Sequence, residues 1–542
     1  MLWNIERPKN DVDNIPTYAP GSSQRAKLID EIRNIKVRTP VEIPLIINGK
    51  EVRTDDVLEV RCPHNKELVL ARAHIAGEDE IQQAIESSLD AQPGWSELDW
   101  LHRLMIFNRA ADLLSGLKRT EIVAAIMLNL SKNPFEAEID LAELVDFWKF
   151  NAFYAKSIFK NQPYQYPGET NRMDWRPLEG FIVAITPFNF YSICGNLPTA
   201  PAMVGNVALW KPARSVIFAN FTIMKILMDA GLPAGVINFV PFSSEDAGTV
   251  LSHPGLAGLH FTGSYDTLVT IWKNIGRSLE NYINFPKIVG ETGGKDFIFM
   301  HESADVRGYT LNIIRGAFGY QGQKRSAASR AYIPESKWDE VNQILQEELP
   351  MIKYGATENL ENYMGAVIDR QAYEKIVSYI QHAKSRSDEY ELVYGGRYDS
   401  SQGWFVEPTV FLSLNPKSVL MTEEIFGPVV TVYLYPEGEY EETLKLCDET
   451  SPYGLTGAIF ANDRYAIQIA EKTLRYAAGN FYINDKPSGV VVGRQPFGGA
   501  RNSGTNDKAG SWINILRWLS PRTIKETSIL PTDWRRDFLK LS

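Results

Sequence analysis

Cysteine is scarce in this chain, with only Cys62, Cys194 and Cys447 in 542 residues. Odd in number and far apart, they form neither a disulfide framework nor a C-x-x-C metal site, and a reducing compartment is the expectation. The seven histidines are scattered, with no H-E-x-x-H or similar pairing, so no metal centre is expected. No G-x-G-x-x-G run occurs, which withholds the glycine signature of a standard dinucleotide site. Positive charge is not in excess either: the net charge of -10 argues against nucleic acid or an anionic membrane surface as the main partner and favours small molecules or proteins. The most apolar region, residues 181–210, is interrupted by Pro187, Asn189, Asn196, Pro198 and Pro201, so no membrane span is expected. The first residues, MLWNIERPKNDVDN, mix acids with bases and lack the features of a signal or transit peptide; the expectation is a cytosolic chain, or one from which a presequence is missing.

What is present is an ordinary globular composition, 44% hydrophobic and 23% charged, in a chain too long for one core, so two or three structural units are expected. The first fifty residues read as a solvated arm with a helix near 25–35. Residues 77–160 read as helical: GEDEIQQAIESSLDAQ, LHRLMIFNRAADLLSG and FEAEIDLAELVDFWKFNAFYAK repeat apolar residues at three and four. Residues 161–174, rich in Pro, Gln, Tyr and Asn, read as a loop or projecting ribbon. From 181 onward the short runs FIVAITP, NVALWKP, GVINFVP and GLHFTG alternate with helical stretches, the rhythm of a parallel sheet with helices on both faces. A second alternating set follows residue 305, through RAYIPES, FVEPTVFL, VVTVYLYP and LTGAIFA. The C-terminal ILRWLSPRTIKETS reads as an edge strand that pairs with another subunit.

Chemistry concentrates in residues 321–330, QGQKRSAASR, and residues 287–296, KIVGETGGKD, where small residues crowd around a few reactive side chains. Lys211 ends a strand, at the edge where parallel α/β sheets bind ligands, and Ser264 follows a strand and opens a helix whose free N–H groups suit a pyrophosphate. Taken singly, an exposed lysine and a helix N-cap serine account for both.

The segments LEGFIVAITPFNF, GNVALWKPA, LHFTGS, GETGGK, QGQKRSAASR, EEIFGPV, AAGNFYINDK and QPFGGARNSGTNDKAG resemble, in order, those of the aldehyde dehydrogenase superfamily. The resemblance runs from about residue 19 to 534 and is nearest to the 1-pyrroline-5-carboxylate dehydrogenases, which convert L-glutamate γ-semialdehyde, NAD and water into L-glutamate and NADH in proline catabolism. It implies an α/β chain with a Rossmann-like cofactor domain (1–159, 180–292 and 486–510), an α/β catalytic domain (293–485) and a small β oligomerisation flap (160–179 and 511–542). A homodimer or higher homo-oligomer is implied with it, in the mitochondrial matrix of a eukaryote or the cytoplasm of a bacterium.

The resemblance also implies roles. Asn189 is the oxyanion donor and Glu291 activates the hydrolytic water. Lys211 meets the adenosine ribose, Ser264 the pyrophosphate, and Glu424 and Phe426 the nicotinamide ribose and ring. Phe190 and Phe497 wall the substrate tunnel, while Ser326, Gly489 and Val490 hold the substrate's carboxylate. From the residues alone, Phe190, Phe426 and Phe497 read equally as core aromatics.

Four positions depart from the pattern. Val490 stands where serine is common, Asp296 replaces an asparagine, and Arg214 replaces an acid or amide, so that a 2′-phosphate is welcome and NADP stands beside NAD as cofactor. Arg325 occupies the place of the nucleophilic cysteine. A guanidinium stays protonated and has no lone pair for attack on an aldehyde, so the chain is expected to oxidise aldehydes poorly or not at all. Arg325 is expected to pair with Glu291 or to catch the carboxylate of a glutamate-like ligand. The alternatives are a variant of an active dehydrogenase and a non-catalytic structural or binding subunit of an assembly.

Overall fold

The computed structural model describes residues 5–540. Its frame is a pair of seven-stranded sheets, each continued by helices on its faces. In the first, Lys287–Glu291, Leu256–Thr262, Phe181–Ile185, Val207–Lys211 and Ile237–Phe239 run parallel in that spatial order. Their burial is nearly continuous along each strand, as a sheet covered on both faces requires. Register fixes the carboxyl edge: Ile185 lies opposite both Lys211 and Phe261, and Thr262 opposite Glu291. Lys211, the loop after Ile185, Ser264 and Glu291 therefore emerge on one side.

The order of the second sheet is Tyr390–Tyr394, Thr409–Ser413, Val429–Tyr435, Ala328–Pro334, Asp296–Met300, Thr456–Phe460, Asn480–Ile483, parallel except for its first strand. Glu291 ends an edge strand of the first sheet and Asp296 begins a strand of the second, so only Thr292 to Lys295 separate them. Residues 321–327 and 424–427 lead into neighbouring strands of the second sheet. The carboxyl edge of one sheet thus faces the amino edge of the other, and the chemistry-bearing segments meet at that junction.

The helix Pro134–Lys160 supports the junction from below. Asn133 caps it by accepting the Glu136 N–H, proline fills its first turn, and Leu141, Leu144, Val145 and Trp148 are buried. It lies so close to the helix Tyr191–Met203 that a Cβ on Gly195 would come within 2.6 Å of the Leu144 side chain. Asp140 joins the two: its carboxylate accepts from the Tyr191 and Ser192 N–H groups and from Lys132 Nζ, which lies 4.3 Å from the Phe190 ring centre.

One expectation needs correction. The first fifty residues are not a solvated arm. The helix Ser23–Arg38 buries Leu28, Ile32 and Ile35, and Leu45–Ile47 adds an antiparallel strand to the first sheet beside Ile237–Phe239. A three-residue apolar run is too short to show a period, and its partner lies about 190 residues away. The C-terminal strand Leu519–Thr527 pairs on one side, antiparallel, with Glu169–Pro177 of this same chain, from Leu519 opposite Pro177 to Thr527 opposite Glu169, and is an edge strand on the other among the described residues. The helix Arg119–Leu130 falls inside the stretch expected to be helical, and residues Ile122 to Leu130 are buried on every side of it.

Candidate active site

The loop before strand Ala328–Pro334 is held by its backbone. Tyr320, Gln321 and Gly322 take consecutive left-handed conformations, with φ of 52°, 55° and 66°. Gly322 is required there, since a Cβ would lie 2.2 Å from the Gly427 carbonyl oxygen. Gln321 secures the strained turn by donating from Nε2 to the Ser131 and Ala366 carbonyls at 2.9 and 2.8 Å, and Gln323 Oε1 accepts the Ile368 N–H. The next side chains are thereby aimed into the junction.

Arg325 is one of them, 6% exposed, with Nη1 2.8 Å from Glu291 Oε2. The same nitrogen makes a long 3.4 Å bond to the Thr292 carbonyl, and the guanidinium stands 5.5 Å from the Phe497 ring centre. The expected pairing with Glu291 is present. Nε and Nη2 make no hydrogen bond within the described residues.

Arg325 and Glu291 line a cavity of about 440 Å³, together with Phe190, Ser326, Gly489, Val490 and Phe497. All five residues assigned to the substrate by resemblance therefore face one space, and Gly489 has the φ of 92° that suits glycine. Asn189 does not face it. Its side chain is buried beside the loop, where Nδ2 donates to the Gln323 carbonyl at 3.1 Å. Sequence reasoning missed the charged wall of this cavity: Glu136, which pairs with Lys324 at 2.8 Å, together with Glu143, Arg315 and Lys486. Glu143 is pushed up to about 8 by burial and by nearby Asp140. The only signals for these residues were an acidic i, i+7 pair on one helix and a lysine beside a proline, which are common on solvated surfaces.

Among the described residues no cysteine lines this cavity. Cys194 Sγ donates to the Pro187 carbonyl at 3.0 Å, and burial pushes its pKa up to about 12, so it is an inert core residue. Cys447, raised to about 11 by burial, lies in the core beside Arg330, and Cys62 is buried. Ser326 makes no hydrogen bond to an acid or imidazole among the described residues, so nothing there activates its hydroxyl.

Across the junction lie the residues assigned to a dinucleotide. Lys211 has no hydrogen-bond or ion-pair partner among the described residues; its ammonium is 5.5 Å from the Phe242 ring centre, and burial, then Arg214, lowers its pKa. Lys211, Arg214, Ser243, Ser244 and Glu245 line a cavity of about 370 Å³. Ser264 is both things the sequence offered, the N-cap of helix Tyr265–Arg277 and a hydroxyl at its positive end. Glu424 Oε1 accepts the Gly294 N–H at 2.9 Å, its pKa raised by burial. Phe426, at φ 61°, packs edge-on against Phe188 at 5.8 Å. A desolvated cation without a protein acceptor, hydroxyls beside it, a helix N-terminus and an acid near an aromatic ring fit a nucleotide with phosphates and ribose hydroxyls.

Residues 51–524 match the model of the aldehyde dehydrogenase family. The delta-1-pyrroline-5-carboxylate dehydrogenase of Dictyostelium discoideum, a mitochondrial protein by its name, is 47% identical over 97% of this chain and 96% of its own length. That of Danio rerio, also named mitochondrial, is 45% identical over 98% and 96%. The crystal structure of the Mycobacterium tuberculosis enzyme bound with NAD superposes with a TM-score of 0.95 at 44% identity, each chain covered in full. The NAD-bound Thermus enzyme gives 0.90 at 30%, over 97% of this chain and all of its own. The fold is that of an aldehyde dehydrogenase, and the chain belongs to the aldehyde dehydrogenase family, close within it to the delta-1-pyrroline-5-carboxylate dehydrogenases.

Proposed function

We propose that this chain binds the cofactor and a substrate-like ligand of the delta-1-pyrroline-5-carboxylate dehydrogenases but oxidises glutamate γ-semialdehyde poorly or not at all. The observation that carries this reading is the Arg325–Glu291 ion pair at 2.8 Å. It places a protonated, non-nucleophilic group where the family's thiolate would attack, and it occupies the carboxylate that would activate water.

In this reading bound NAD would supply the hydride acceptor. Lys211 and Ser264 hold its ribose and pyrophosphate, and Glu424 and Phe426 position the nicotinamide end. Phe190 and Phe497 wall the ligand, Ser326, Gly489 and Val490 hold its α-carboxylate, and Asn189 supports the loop that carries Arg325. Arg214 beside Lys211 admits a 2′-phosphate, so NADP is a second cofactor. Residues 1–159, 180–292 and 486–510 form the cofactor domain, 293–485 the catalytic domain, and 160–179 with 511–542 a flap through which copies assemble into a dimer or larger oligomer. Two strands alone, with both outer edges open, make up that ribbon among the described residues. The mitochondrial relatives favour the matrix in a eukaryote.

A second reading, an active dehydrogenase altered at one position, is favoured by the intact surroundings, since Glu291 and the lined cavity remain. One side-by-side measurement separates the two. NADH formation from glutamate γ-semialdehyde is expected to be near background for the protein and to rise about 10³-fold or more in Arg325→Cys. Family-like turnover by the unaltered protein would overturn the proposal. Absence of nucleotide binding by fluorescence would instead leave a purely structural role.

A further inference from the structure

The walls of the 440 Å³ cavity are unevenly charged. Arg315, Lys324, Arg325 and Lys486 face Glu136, Glu143 and Glu291. Lys324 is matched by Glu136 and Arg325 by Glu291, each at 2.8 Å. Glu143, held up to about 8 by burial and Asp140, is mainly neutral at pH 7 and offsets nothing. Arg315 has no acidic partner among the described residues, and Lys486 has only its neighbour Asp485 at 3.9 Å, an exposed residue. The cavity therefore carries about two positive charges that the protein does not neutralise.

Arg315 and Lys486 are near neighbours, the guanidinium acting on the ammonium as a like charge. Lys486 Nζ lies within 2.9 Å of where a Cβ on Gly489 would stand, so this ammonium is packed beside the glycine turn. Arg325 lines the same cavity, against Glu291 and the Phe497 ring, with Nε and Nη2 unspent. A neutral aldehyde gains little from a guanidinium. A carboxylate gains paired, charge-assisted hydrogen bonds in a site shielded from water, but it meets the Glu291 carboxylate already in place.

We infer that Arg325 is a carboxylate seat that Glu291 fills when no ligand is bound, and that the ligand is a short dicarboxylate: one carboxylate exchanges with Glu291, and the other is met by Lys486 and Arg315. This rests on the reading that the site no longer oxidises aldehydes, and it reverses the preference of the cavity from the aldehyde to a ligand with a carboxylate at each end. Glu291 is then an internal competitor, so its neutralisation tightens binding instead of weakening it.

Calorimetric titration with glutarate and with 5-hydroxypentanoate, equal in length but carboxylated at one end, tests this. Glutarate is expected to bind about tenfold more tightly. Arg325→Gln is expected to abolish that preference, and Glu291→Gln to strengthen glutarate binding several-fold with little effect on 5-hydroxypentanoate. Equal affinities in the unaltered protein, no binding of either, a preference that survives Arg325→Gln, or weaker glutarate binding in Glu291→Gln would each overturn the inference. Glu291→Gln keeps the test readable if Arg325→Gln does not fold. NADH formation by the unaltered protein sinks the reading of lost oxidation and leaves these titrations to be judged separately; no NADH and no glutarate preference sinks the seat alone.

Discussion

Lys132 and Asp140 form an ion pair at 2.6 Å with neither side chain exposed, whereas Arg325 and Glu291 pair at 2.8 Å with 6% and 13% exposed. The first pair is surrounded by internal partners: Asp140 caps the helix Tyr191–Met203, and the Lys132 ammonium lies between the Phe190 and Tyr320 rings at 4.3 and 4.4 Å. The second has one close contact, one long bond to a carbonyl, and donors still open to a cavity. Burial alone does not say what an ion pair is for. What the leftover donors face does: those of Lys132 face the Phe190 and Tyr320 rings in a closed core, whereas those of Arg325 face a cavity that a ligand can enter.

The largest effect expected from this contrast is on stability. Asp140→Ala leaves the Lys132 ammonium unpaired and uncaps a buried helix, and is expected to cost about 3–5 kcal/mol, read as a large fall in Tm. Arg325→Met is expected to cost about 1 kcal/mol or less, since cavity water can reach Glu291. Equal losses from the two would break the comparison.

Lys211 and Arg214 extend it to cations with no acid partner in their cavity but Glu245. Arg214→Glu is expected to reduce affinity for NADPH relative to NADH about tenfold in fluorescence titrations, the worth of one charge-assisted contact. An unchanged ratio would remove Arg214 from the cofactor site.

Glu143 gives the smallest effect. Its folded pKa of about 8 lies above its ordinary value, so the unfolded chain loses this proton first as pH rises. Stability is therefore greatest below the ordinary carboxylate range and declines as pH climbs toward 8. Glu143→Gln is expected to flatten that decline and stabilise the protein at pH 8 by on the order of 1 kcal/mol, discounted because the group borders a cavity. A denaturation series from pH 5 to pH 9 checks it.

Much of this was legible in the sequence because local pattern and structure agree. The strand around Val207–Lys211 ends at its lysine as its run of apolar residues does, and the helix opened by Ser264 has one clear apolar face. The meeting of Arg325 with Glu291 was also expected, from the roles the family resemblance gives those two positions. Pairings made only in three dimensions were not visible: Leu45–Ile47 finds its place beside a distant strand, and Leu519–Thr527 finds Glu169–Pro177. The Lys132–Asp140 pair was missed for a related reason, since its meaning lies in a third element, the helix it caps. Asn189 shows the reverse case, a residue assigned to the cavity whose amide gives one of its two N–H groups to the Gln323 carbonyl instead.

The left-handed turn at Tyr320, Gln321 and Gly322 is fastened by Gln321 and Gly322, not by the side chain at 325. Whatever residue occupies position 325 is therefore delivered to the same point by a frame that does not depend on it. Such a mount lets a catalyst be retired, or a new reactive group installed, by one codon change without rebuilding the scaffold.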